Sequence, residues 1–199
     1  MNNSIILKIL KPVIFIASLI PLCLLIIAAL SDDLGANPIE TLTHQTGLWG
    51  LYFLILTLAV TPLKSLGVSW VVRLRRMLGV YAFFYATLHV LVYFWLDQFF
   101  VWDAILEDIV KRPYITVGFT AWILLIPLAL TSFNRAMKKL GGNWKKLHKT
   151  IYLIVLLVLL HFIWLVKADL AEPLFYLLLT LLLLLMRVPR VKQVVQGLF

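Results

Sequence analysis

The sequence predicts an all-α integral membrane protein of six transmembrane helices, both termini cytosolic, in one transmembrane domain spanning residues 1–199. Three observations carry this. Of the residues 63% are hydrophobic and only 14% are charged, against about 45–50% and about 25% in soluble domains. Six uncharged apolar stretches recur along the chain at close to the 20-residue length that crosses a hydrocarbon core of about 30 Å. The basic residues also sort to one side. With Lys8 and Lys11 placed inside and the sides alternating, 15 of 18 Lys and Arg fall on the inner face and all nine acids on the outer one. The positive-inside rule then puts both termini in the cytosol.

The elements follow in order. The first helix, about 12–31, comes after Lys8 and Lys11. A signal-peptide core is about 7–15 residues, so this 20-residue run reads as a span, with a kink at Pro21. The second and third helices are predicted at about 47–63 and 77–96. Residues 98–112 place Phe99, Trp102, Ile105, Leu106 and Ile109 at helical spacing among Asp103, Glu107 and Asp108. This is an amphipathic segment on the outer leaflet, either a lid on the bundle or a docking face for an external partner. The fourth and fifth helices are predicted at about 114–134 and 149–167. The sixth, about 170–187, has a shorter uncharged run and spans if its flanking charges snorkel.

Several function classes drop out. No glycine-rich nucleotide fingerprint or P-loop is present, so the chain has no nucleotide-binding domain of its own. Cys23 is the single cysteine, which excludes a disulfide pair, an iron–sulfur cluster and a Cys-x-x-Cys-His haem attachment. The formal charge of +9 reflects membrane topology, with lipid and not nucleic acid as the surrounding partner. No Asp, Glu, Lys or Arg lies deep in a span, so an ion-coupled transporter lacks its usual groups.

What the spans do contain is histidine. His89 lies 13 residues beyond Arg76, and His161 lies 12 residues beyond Lys149. Both therefore sit roughly 18–20 Å from the inner boundary. Two imidazoles at one depth suit the two axial positions of a haem iron held in a bundle; the other reading is a pair of packing histidines. Gly79, Ala82 and Ala86 share a face of about 80° with His89, read either as a groove for a flat porphyrin or as close helix packing. His148 is 13 residues before His161, about 220° around the helix. It reads as an interfacial helix-end residue or as a contact for a second cofactor. Its counterparts on the third helix are Arg75 and Arg76, which are not haem ligands. His44, at the outer mouth of the second helix, suits a surface hydrogen bond or a partner contact. The inner loop 135–149 carries six basic residues around Leu140, Trp144 and Leu147. Positive-inside bias explains them, and Lys138, Lys139, Lys145 and Lys146 also form a candidate docking face for an acidic donor protein or a flavin phosphate.

The stretches RRMLGVYAFFYATLHVLVY (75–93), KRPYITVGFTAWILL (111–125), GNWKKLHKTIYLIVLLVLLHFIW (142–164) and GANPIETLTHQTG (35–47) resemble the MsrQ (formerly YedZ) family of the ferric-reductase-like transmembrane superfamily. The resemblance implies a six-helix cytochrome b bundle in the bacterial inner membrane, carrying one haem b or two and binding FMN. It implies electron transfer from a cytosolic flavin reductase or the quinone pool to a periplasmic molybdopterin-containing subunit, which reduces methionine sulfoxide in oxidised envelope proteins. The family's histidines match His89, His148 and His161. Oxidase relatives carry two histidines on each of two helices, and this sequence departs from them at Arg75 and Arg76, leaving the number of haems open. The chain thus reads as an electron-relay subunit with no substrate-reducing centre of its own. The alternatives are a stand-alone transmembrane reductase of ferric iron or oxygen, and a cofactor-free transporter or assembly factor.

Overall fold

The computed structural model describes residues 3–166 and 169–188. Lys167, Arg190 and Lys192, which entered the charge count, lie outside the described residues. Among the described residues every regular element is helical. Five helices are long and apolar enough to cross a membrane: Leu7–Leu30, Pro38–Ser65, Arg75–Asp97, Pro113–Leu130 and Gly142–Leu165. The segment expected as a sixth span contains a shorter apolar helix, Ala171–Leu185. The chain divides into two compact units, Met1–Val92 with Leu183–Phe199, and Tyr93–Leu182.

In the first unit the leading span is two helices, α1 (Asn3–Ala17) and α2 (Ile20–Leu30). Pro21 lacks the N–H that would bind the Ala17 carbonyl and crowds that turn, so the helix breaks at Ser18–Leu19 just before it. The amide of Leu19 bonds to Ile16 instead. The carbonyls of Phe15 and Ser18 accept hydrogen bonds from the Tyr81 and Tyr85 hydroxyls, at 2.8 and 2.7 Å.

The helix α3 (Pro38–Ser65) starts nine residues earlier than expected. Asn37 caps it, accepting from the Glu40 amide at 3.4 Å and donating to the Glu40 carboxylate at 2.8 Å. Pro38 takes the first helical position, where a missing N–H has no consequence. After a 3-10 turn at Ser69–Arg73, α4 (Arg75–Val92) runs back against α3. Their seam is made of small residues. A Cβ on Gly50 would lie 3.3 Å from the Ala86 amide nitrogen, and one on Gly79 would lie 3.9 Å from Thr57. Ala82 is buried between them. The Gly79–Ala82–Ala86 stripe is therefore filled by α3, which decides between groove and packing in favour of packing. Lipid offers no hydrophobic reason for helices to associate, and close backbone approach supplies the attraction. Phe53 stacks on both Tyr81 and Tyr85, at 5.3 and 5.4 Å. At the Arg75 end its guanidinium donates to Thr61 Oγ1, and Arg187 donates to the Leu58 carbonyl.

The second unit opens with a single π-turn, Tyr93–Asp97. Asp108 holds it, accepting from Tyr93 Oη at 3.2 Å and Gln98 Nε2 at 3.4 Å while pairing with Arg112 at 3.2 Å. The amphipathic segment forms α5 (Trp102–Lys111), which packs on α6 (Pro113–Leu130) with Ile105 buried and Trp102, Leu106 and Val110 exposed. The fourth helix ends at Leu130, four residues short of expectation. Thr131 and Ser132 turn their hydroxyls back onto the Pro127 and Leu128 carbonyls, at 2.6 and 2.7 Å, a local competition that ends helices. The expected loop 135–149 is mostly helical. It forms α7 (Asn134–Leu140) and α8 (Gly142–His148), hinged at Gly141, whose φ of +52° suits glycine. The next helix, α9 (Ile151–Leu165), packs along α6, and α10 is Ala171–Leu185.

Candidate haem-ligand histidines

His89 leaves α4 toward α3, and its Nδ1 lies 2.8 Å from the Thr43 carbonyl oxygen. A carbonyl only accepts, so Nδ1 carries the proton and the lone pair resides on Nε2. The ring rests against Gly47, where a Cβ would come 3.0 Å from Nδ1 and 3.2 Å from Cε1. In the second unit His161 leaves α9 toward α6, with Nδ1 2.7 Å from the Tyr114 carbonyl oxygen. Its ring rests against Gly118, where a Cβ would come 2.6 Å from Nδ1 and 2.9 Å from Cε1.

The two seats share one design. Each uses a carbonyl at position i and a glycine at i+4 of a neighbouring helix. In an α-helix the carbonyl of residue i is bonded to the N–H of residue i+4, so the side chain at i+4 stands directly under that oxygen. Glycine there clears the approach. A mid-helix glycine costs about 1 kcal/mol relative to alanine, and the histidine bond offsets this. An imidazole fixed through Nδ1–H to a carbonyl is the orientation that metal-binding histidines take, with Nε2 as the donor atom. The fit to an iron ligand therefore rests on the tautomer and on the ring's anchorage.

His148 is held differently. Its ring stacks on Trp144 at 3.9 Å between centroids, and its Nδ1 lies 3.1 Å from the Trp144 carbonyl oxygen. Trp144 is itself fixed by Nε1–H donating to the Thr131 carbonyl at 2.9 Å. Among the described residues His148 Nε2 is buried with no partner in hydrogen-bond geometry. A buried unsatisfied nitrogen is expensive, and a ligand there would satisfy it. Lys138, Lys139, Lys145 and Lys146 are exposed on α7 and α8, whereas Leu140, Trp144 and Leu147 are half-buried. His44 lies on the exposed side of α3, inside the helix and not at its mouth.

The histidines stand out in the sequence, whereas Thr43, Gly47, Tyr114 and Gly118 do not, and Trp144 shows there only as an apolar residue of the inner loop. Glycines 47 and 118 were legible only as helix-disfavouring residues inside apolar runs.

The family described as ferric reductase like transmembrane component matches residues 46–166, a region that includes Gly47, Gly118, His89, His148 and His161. The chain belongs to the MsrQ branch of this family. A protein of Xanthomonas campestris pv. campestris (strain 8004) is 57% identical over 147 residues, 73% of this chain and 67% of the relative. One of Herminiimonas arsenicoxydans is 51% identical over 174 residues, covering 85% and 80%. Both are described as the haem-binding subunit MsrQ of protein-methionine-sulfoxide reductase. The helices and the family together make this a multi-pass membrane protein.

Proposed function

We propose that this chain is the haem b-binding electron-transfer subunit of a protein-methionine-sulfoxide reductase system in a bacterial inner membrane. In this reading it spans the membrane six times with both termini in the cytosol. It takes electrons from a cytosolic flavin reductase or the quinone pool. It delivers them to a periplasmic molybdopterin-containing subunit that repairs oxidised envelope proteins. The observation that carries the reading is the repeated seat: two spans each present an imidazole locked as the Nδ1–H tautomer against a backbone carbonyl.

His89 and His161 would hold the haem through Nε2. The haem, when bound, supplies a one-electron iron centre inside the bilayer. The chain's own residues fix the imidazoles before ligation and raise their basicity through the carbonyl bonds. His148, stacked on Trp144 with its buried Nε2, would hold a second planar cofactor, a further haem b or FMN. Lys138, Lys139, Lys145 and Lys146 would receive an acidic donor protein.

Sealed vesicles test the whole reading, with a reduced flavoprotein inside and the oxidised methionine-sulfoxide reductase subunit outside. Electron transfer should require that outer subunit and its sulfoxide substrate. Equal turnover of ferric chelate or oxygen in their absence would overturn the subunit reading and favour a stand-alone reductase.

A further inference from the structure

We infer that Gly47 and Gly118 are positioning residues for the two histidines, and that the Gly118 seat is the more constrained of the two. The inference rests on the haem reading above. Among the described residues the carbonyl–glycine–histidine arrangement occurs once in each compact unit, on different helices, with the same i to i+4 spacing and the same imidazole nitrogen engaged. A single glycine under a ring could be incidental packing. Two independent copies, each opening the path to a carbonyl that the ring then binds, point to one selected geometry.

The two seats are unequal. At Gly47 an added methyl would sit 3.0 Å from Nδ1 and 3.2 Å from Cε1, contacts the ring escapes by moving a few tenths of an ångström. At Gly118 it would sit 2.6, 2.9 and 3.0 Å from three ring atoms at once. No small shift clears all three, so the His161 ring must leave its place and its bond to Tyr114 must lengthen or break. Losing that bond removes electron donation to the imidazole, so iron held by His161 becomes easier to reduce.

The experiment compares purified Gly118→Ala, Gly47→Ala, Gly79→Ala and Ile154→Ala by haem-to-protein ratio, low-spin electron paramagnetic resonance and midpoint potential. Gly118→Ala should weaken haem binding by roughly 10–100-fold, the usual effect of removing a ligand's outer support, and should raise the potential of the haem that remains. Gly47→Ala should move both in the same direction by less. Gly79→Ala meets nothing closer than 3.9 Å and should match wild type. Ile154→Ala truncates a fully buried residue on the His161 helix and should lower the melting temperature without moving the potential. A wild-type signal and potential in Gly118→Ala would overturn the inference, as would a shift in Ile154→Ala equal to that in Gly47→Ala. If Gly118→Ala does not accumulate, the contrast of Gly47→Ala with Gly79→Ala and Ile154→Ala decides alone. Haem-free wild-type protein would instead end the haem reading itself.

Discussion

Replacing Tyr85 by Phe removes one oxygen atom at a place where its energetic effect can be reasoned through. The Tyr85 hydroxyl donates to the Ser18 carbonyl at 2.7 Å, and both residues are buried, at 0% and 4% exposure. Phenylalanine keeps the ring, so the stack on Phe53 at 5.4 Å and 17° is preserved and the packing loss is small. What is lost is one neutral hydrogen bond, about 1 kcal/mol net, plus part of the penalty for a buried acceptor left without it, about 1–3 kcal/mol. Hydrogen bonds between membrane helices average nearer about 0.6 kcal/mol with a maximum of about 1.7. The expected loss is therefore about 1–1.5 kcal/mol. Tyr81→Phe provides the comparison. Its partner carbonyl belongs to Phe15 in the same span, where lipid offers no replacement donor, so its loss should fall in the same range, about 0.6–1.7 kcal/mol. Reversible unfolding in mixed micelles, followed by tryptophan fluorescence, measures both. A neutral Tyr85→Phe, or neutral variants at both positions, would refute the idea that these hydroxyls clamp the break before Pro21.

Other outcomes follow from the inner residues. His148→Ala should lower the content or reduction rate of a second cofactor while leaving the signal assigned to His89 and His161 unchanged; loss of all haem would contradict that separation. Trp144→Phe keeps a ring against His148 but loses the 2.9 Å bond to the Thr131 carbonyl. A bond worth about 1 kcal/mol corresponds to about fivefold in a ligand's occupancy at that site, measurable by cofactor titration. Neutralising Lys138, Lys139, Lys145 and Lys146 together should slow reduction by a soluble flavoprotein at low salt. The difference from wild type should shrink as ionic strength rises, because a Debye length of about 8 Å at physiological salt already screens surface charge. A salt-independent difference would place the effect elsewhere.

Five of the spans and the positions of the histidines were legible in the sequence because both are written in residue identity. Apolar runs mark helices, and imidazoles stand out in lipid. Boundaries were harder. The start of α3 is set by Asn37, Pro38 and Glu40 acting together, a cap signal overshadowed by the apolar run that begins later. The end of α6 is set by Thr131 and Ser132 turning back on their own helix, which an uncharged run does not reveal. The Gly79–Ala82–Ala86 stripe has one sequence signature for two roles, and only the position of α3 decides between them. The seats for His89 and His161 were illegible for a deeper reason: each joins residues 46 or 47 positions apart, Thr43 to His89 and Tyr114 to His161. Periodicity along one helix carries no trace of a carbonyl on another.

The central proposal is that His89 and His161 would together hold one haem iron. Magnetic circular dichroism and electron paramagnetic resonance of the oxidised protein test it most directly, on wild type beside His89→Ala, His161→Ala and His44→Ala. The account predicts a low-spin bis-imidazole signature in wild type and in His44→Ala. That signature should be lost from both other variants, which should also retain little haem. An unchanged bis-imidazole signature in either His89→Ala or His161→Ala would contradict it.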